Sequence, residues 1–158
     1  MTSPFHIPLT DAAATKRLGA DLAIVLQPGM TLALSGDLGA GKTTLTQGLA
    51  NGLGIGADVL SPTFALMSEY RDARIPLLHI DAYRLTGAAD ARQLGLDEYL
   101  DAGWALVVEW PENIEGALPE DRLHIRLDYD GESRTATATA GGEISGKILE
   151  TWRARSGD

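Results

Sequence analysis

The sequence predicts an α/β domain on a central sheet that is part parallel and part antiparallel. Three observations point there. An apolar run, Met30-Thr31-Leu32-Ala33-Leu34, leads through a glycine-rich loop into a helix from about Lys42 to Leu53. A second, fully apolar run, Ala105-Leu106-Val107-Val108, reads as a strand buried on both faces, as parallel sheets require. Then Leu123-His124-Ile125-Arg126-Leu127 alternates apolar and polar, and Asp130-Gly131 marks a hairpin whose return strand is Thr135 to Thr139. Strand–loop–helix order early and clustered strands later give a mixed sheet.

The remaining elements follow in chain order. His6 to Leu9 is short and extended, with Pro4 and Pro8 in the stretch. Thr10 or Asp11 caps a helix whose apolar face is Leu18, Leu22, Val25 and Leu26, and Pro28-Gly29 ends it. The helix after the glycine-rich loop stops in the cluster Gly52, Gly54, Gly56. Ser61-Pro62-Thr63-Phe64 is an ordered loop, with strands expected over 64–70 and 75–80. Residues 88–100 form short helical pieces broken at Gly95. Ile144, Ile148, Leu149 and Trp152 mark the buried face of a C-terminal helix.

The chain has 158 residues, the usual size of one domain, and residues 1–158 are read as one. A chain of this length buries about 70% of its unfolded surface, so it needs no disulfide or structural metal. It has no cysteine, which excludes a thiolate zinc site and a cysteine nucleophile. No basic and apolar leader opens the chain, and no apolar run approaches a membrane span, so a cytoplasmic protein is expected. The formal net charge is −9, and the basic residues are scattered. Such a surface repels a phosphate backbone. If RNA is involved, a partner holds it.

Gly36-Asp37-Leu38-Gly39-Ala40-Gly41-Lys42-Thr43 matches the phosphate-loop pattern G-x-x-x-x-G-K-[ST]. Glycines let backbone N–H groups turn inward around phosphate oxygens. Lys42 reaches the β- and γ-phosphates, the Thr43 hydroxyl coordinates Mg²⁺, and the helix beginning there aims its positive end at the anion. A nucleoside triphosphate with Mg²⁺ is the expected ligand. The pattern alone can arise by chance in a glycine-rich chain. Its place between an apolar strand and a helix is what favours the functional reading.

Such a site needs a carboxylate for Mg²⁺ at the end of a buried strand. Glu109 follows Ala105–Val108, and Asp81 follows Leu77-Leu78-His79-Ile80. The plain alternative for either is a solvated strand-end acid. His79 lies two residues before Asp81, so strand alternation puts both on one face; the choice is between a metal pair and a satisfied, half-buried histidine, and the second is preferred. Thr63 stands where a γ-phosphate sensor is expected, or else in a rigid turn. Arg84 is a candidate for charge stabilisation or a surface ion pair. Trp110 is a candidate stacking residue or an ordinary half-buried aromatic.

No Asn-Lys-x-Asp guanine motif is present, so ATP is favoured. Two reactions compete: an ATPase that drives a partner's cycle, and a small metabolite kinase. A kinase needs an acceptor pocket under an arginine-bearing lid, and 83–100 carries only Arg84 and Arg92. A nucleotide-gated binding module is a third reading.

Four motifs occur in order: Gly36–Thr44, Ser61-Pro62-Thr63-Phe64, His79-Ile80-Asp81-Ala82-Tyr83-Arg84 and Glu109-Trp110-Pro111-Glu112. Together they resemble the TsaE (YjeE) family, over about Thr10 to Leu127. The resemblance implies a P-loop NTPase-like, three-layer α/β domain with a mixed sheet. It implies a weak ATPase needed for threonylcarbamoyl (t6A) modification of adenosine 37 in tRNA. Such a protein is not itself the transferase: it works with the TsaB–TsaD heterodimer and meets tRNA only through that complex. Carried onto this chain, Gly39, Ala40, Gly41, Lys42, Thr43 and Thr44 hold the phosphates, and Thr10 contacts the nucleotide. Thr43 and Glu109 bind Mg²⁺. Lys42, Asp81, Glu109 and Thr63 form the catalytic set, with Asp81 and Thr63 sensing the γ-phosphate or positioning water. A partner face over Trp110 and 83–99 is expected, and the tail from Gly142 onward matches no motif.

Overall fold

In the computed structural model, residues 3–37, 39–56 and 67–155 are described. The loop Ser61–Phe64, with Thr63, lies outside them, as does Leu38. The elements are β1 (Phe5–Leu9), α1 (Ala12–Val25), β2 (Thr31–Gly36), α2 (Lys42–Gly52), β3 (Met67–Tyr70), β4 (Leu77–Asp81), α3 (Ala88–Arg92), α4 (Leu96–Asp101), β5 (Ala105–Glu109), β6 (Leu123–Asp130), β7 (Ser133–Ala140) and α5 (Glu143–Arg155). Two 3₁₀ turns, Pro111–Asn113 and Glu115–Ala117, link β5 to β6.

Among the described residues the strands form one sheet in the order β1-β7-β6-β2-β5-β4-β3. Its middle, β6-β2-β5-β4, is parallel, and both edges are antiparallel. This is the mixed sheet the sequence predicts. The order also explains why β2 and β5 are apolar at consecutive positions: both faces are covered. On one face, Leu32, Leu34, Leu77, Val107 and Ile125 pack beneath α1, α2 and α5. On the other, Leu78, Ile80, Leu106 and Val108 pack against Leu85, Ala91, Leu96 and Ile114. The result is three layers.

Local signals set the helix ends. Asp11 caps α1, its carboxylate accepting from Ala14 N at 2.8 Å. Gly95 takes a left-handed backbone, φ 73°, and separates α3 from α4. The C-terminal helix departs from expectation in one respect. Ile144 is 61% exposed, and the buried stripe of α5 is Ser145, Ile148, Leu149 and Trp152. Asp121 fixes this rotation by accepting from Ile144 N and Ser145 N, at 2.9 Å each. Burial pushes the Asp121 carboxyl up, but its hydrogen bonds to Ser145 and Ile144 outweigh that and hold it low. Trp152 meets Phe5 edge-on, with ring centroids 5.5 Å apart, so this end of the chain is part of the core. Among the described residues, no helix is long and apolar enough to cross a membrane.

α1 and α2 touch backbone to backbone. A Cβ on Gly48 would lie 2.1 Å from the Lys16 carbonyl oxygen, and one on Gly19 would lie 2.3 Å from that of Leu45. Neither neighbour is a flexible side-chain end, so the helices would have to separate. Gly48→Ala is expected to lower stability by about 2 kcal/mol, although alanine recovers about 1 kcal/mol of helix propensity. Urea unfolding measures this. Gly87→Ala is the control, because its methyl meets nothing within 4 Å.

Candidate active site

The loop between β2 and α2 is shaped by three glycines at φ values that L-residues avoid: Gly36 at 144°, Gly39 at 79° and Gly41 at 111°. At Gly36 space is also short, since a Cβ there would sit 2.5 Å from the Leu127 carbonyl oxygen on β6. Gly41 precedes the first turn of α2, where no side chain caps the free N–H groups. Those donors and the helix dipole suit an anion.

Lys42 opens α2 and is only 5% exposed. Its Nζ donates to the carbonyl oxygens of Gly36, at 2.5 Å, and Asp37, at 3.4 Å. The same nitrogen stands 4.0 Å from the centre of the Trp110 ring. Burial pulls the ammonium below the usual lysine range, and the carboxylates of Glu109, Glu112, Asp81 and Asp37 only partly restore it. Thr43 and Thr44 are half-buried in the same turn.

Glu109 and Asp81 end neighbouring parallel strands and are register partners. Leu34, two residues before Gly36, pairs with Glu109 on its other side. Ala105 and Val107 face the α1–α2 layer, so alternation along β5 turns Glu109 toward it as well. On β4 the same argument from Leu77 places His79 and Asp81 on that face. The structure thus brings Lys42, Asp81 and Glu109 together below the loop. Asp81 Oδ1 accepts from Tyr83 N at 3.0 Å.

His79 differs from its expected half-buried state. It is fully buried, and its Nε2 lies 2.6 Å from Glu109 Oε2. Trp110 differs too. It takes φ 60°, a left-handed backbone that costs a bulky residue about 1–3 kcal/mol. That conformation turns the chain sharply after Glu109 and lays the ring between Lys42 and Tyr83, whose centroid is 5.0 Å away.

Thr10 lines a cleft of about 140 Å³ with Gly39, Gly41, Thr44, Glu132 and Arg134. Sequence reading missed the last two. They come from the β6–β7 hairpin, which reaches the loop because β1 pairs with β7, Leu9 opposite Arg134. The Arg134 guanidinium lies 4.0 Å over the Tyr129 ring. A larger cavity, about 560 Å³, opens on the opposite face of the sheet. There His124 Nε2 meets Ser35 Oγ at 2.8 Å, and burial, then Arg122, lowers the histidine pKa. It lies behind the loop rather than at its phosphate side.

The donors fit a hard divalent cation: a threonine hydroxyl at the loop and two carboxylates at adjacent strand ends, all oxygen. Only one Glu109 oxygen is engaged by His79. Among the described residues, no group of three or more histidine, aspartate or glutamate side chains is placed to hold a metal ion by itself.

A glycine-shaped anion loop opening a helix, with acids at the ends of neighbouring parallel strands, defines a P-loop NTPase-like domain. A solved structure of Bacillus subtilis YdiB shares this architecture, with a TM-score of 0.87 and 37% identity over 99% of this chain and 98% of that one. The family model for threonylcarbamoyl adenosine biosynthesis protein TsaE matches residues 9–137. The tRNA threonylcarbamoyladenosine biosynthesis protein TsaE of Bacillus subtilis is 46% identical over 129 residues, 81% of this chain and 80% of its own. Its Streptomyces coelicolor counterpart is 44% identical, over 81% and 91%. The chain belongs to the TsaE family.

Proposed function

We propose that this chain is a Mg²⁺-dependent ATPase of the cytoplasm that serves t6A modification of adenosine 37 in tRNA. It acts with the TsaB–TsaD complex and meets tRNA through it. The observation that carries the ATPase reading is the meeting of Lys42, Asp81 and Glu109 beneath a glycine-shaped loop. The pathway rests on family membership.

The backbone N–H groups of 39–44 and the Lys42 ammonium bind and orient the phosphates. Thr43 and Glu109 would hold Mg²⁺, which offsets negative charge on the phosphates when bound. Asp81 stands one strand further out, placed to orient water or report the γ-phosphate. Thr10, Glu132 and Arg134 border the nucleoside end. The region a kinase would use as a lid is instead tied down, because Leu85, Ala91 and Leu96 sit in the second core. Energy coupling is therefore favoured over metabolite phosphorylation.

The test is ATP hydrolysis by the chain alone, then with TsaB–TsaD, then with tRNA added. Stimulation by the complex, together with t6A formation that requires this chain, is expected. An unstimulated rate with transfer of phosphate to a small metabolite would replace this reading by the kinase.

A further inference from the structure

Histidine is an expensive residue at position 79. On one side its surroundings are aliphatic: Leu77 on its own strand and Val107, its register partner on β5, are fully buried, while Ser68 on β3 pairs with it on the other side. A leucine would satisfy that packing. A buried imidazole costs free energy unless its nitrogens are bonded, and here only one is. Nε2 lies 2.6 Å from Glu109 Oε2, whereas Nδ1 has no hydrogen-bond partner among the described residues. A bare lone pair is cheaper to bury than a bare N–H, so the proton belongs on Nε2, donated to the carboxylate. The contact with Glu109 is what the histidine gains in return for its burial.

Glu109 needs such a contact. Its side chain has three rotatable bonds, and fixing it costs rotamer entropy that a bond from a rigid donor offsets. His79 is rigid, held inside the sheet by the β3 and β5 ladders. We propose that His79 is a positioning residue for the metal: it holds one oxygen of the Glu109 carboxylate and leaves the other to the divalent cation that enters with the nucleotide. This rests on Glu109 being the metal carboxylate, as in the function proposed above. It adds a reason why a histidine stands two residues before Asp81. Partners that orient a ligating carboxylate are typically worth about 10–100-fold in metal affinity.

The experiment is Mn²⁺ binding to the full chain with a non-hydrolysable ATP analogue, read from the electron paramagnetic resonance of free Mn²⁺. Analogue affinity in EDTA is measured in parallel, and thermal melts establish folding. His79→Leu is expected to weaken Mn²⁺ about tenfold or more and to leave metal-free analogue binding unchanged. His79→Gln, whose longer amide reaches the same carboxylate oxygen, restores most of the affinity, and the shorter His79→Asn does not. In a Glu109→Gln background, His79→Leu changes Mn²⁺ affinity no further. Wild-type Mn²⁺ affinity in His79→Leu, with Glu109→Gln weakened, overturns the positioning role and leaves the metal assignment standing. Wild-type affinity in Glu109→Gln overturns both. If His79→Leu does not fold, equal Mn²⁺ affinities in the Gln and Asn variants overturn the proposal.

Discussion

Lys42→Ala is expected to lose ATP binding both with Mg²⁺ and in EDTA. The charges around the loop make this the largest single effect. Glu109, Glu112, Asp81 and Asp37 all bear on the Lys42 ammonium, and all are acidic. Without the lysine, a triphosphate meets helix N–H groups in a field of carboxylates. Removing one preorganised donor to an anion costs about 3–4 kcal/mol, roughly 10²–10³-fold, and the unscreened acids add to that. The carbonyls of Gly36 and Asp37, which accept from Lys42, point the same way: they are occupied by a cation that the variant lacks. Calorimetric titration with ATP measures the loss. Affinity within a few-fold of wild type in EDTA would mean that phosphate is held elsewhere.

Glu109→Gln separates binding from turnover. The glutamine keeps the volume and can still meet His79, so the fold is preserved. Its neutral amide is a poor ligand for Mg²⁺, and hydrolysis is expected to fall about 10²–10³-fold. Affinity for ATP in EDTA moves the opposite way. One of the acids that repel the triphosphate has gone, so metal-free binding stays level or tightens. The pair of variants gives a sign test: the lysine change removes metal-free binding, and the glutamate change spares it. Full hydrolysis in Glu109→Gln would transfer the metal role to Asp81.

What was legible in the sequence was local. The run into a glycine-rich loop and helix, the Asp11 cap, the Gly95 break and the Asp130-Gly131 hairpin each depend on neighbours within a few residues, and each lies where it was read. Glu109 and Asp81 were legible as strand-end acids for the same reason. Their adjacency was not. It depends on β5 entering the sheet between β2 and β4, and no local pattern encodes strand order. Arg134 and Glu132 escaped notice because the β1–β7 pairing joins residues more than a hundred positions apart. The rotation of α5, which exposes Ile144, is fixed by Asp121 on another segment. His79 was seen on the correct face but taken for a self-sufficient residue. Its partner is thirty positions away, on the neighbouring strand. Thr63 lies outside the described residues, so its role rests on resemblance alone.

The glycine contact between α1 and α2 has a mechanical meaning. α1 starts just after Thr10, and α2 starts at Lys42. Because the two backbones are in contact near Gly19 and Gly48, these starting points belong to one stiff wedge. In the function proposed above, the span from nucleoside to phosphates would therefore be a fixed length, like the closed jaw of a calliper. Most of that length would hold the part of the nucleotide that hydrolysis leaves unchanged. The difference between fuel and spent fuel would then be read chiefly by the opposite jaw, where β4 and β5 end and Trp110 holds its unusual turn.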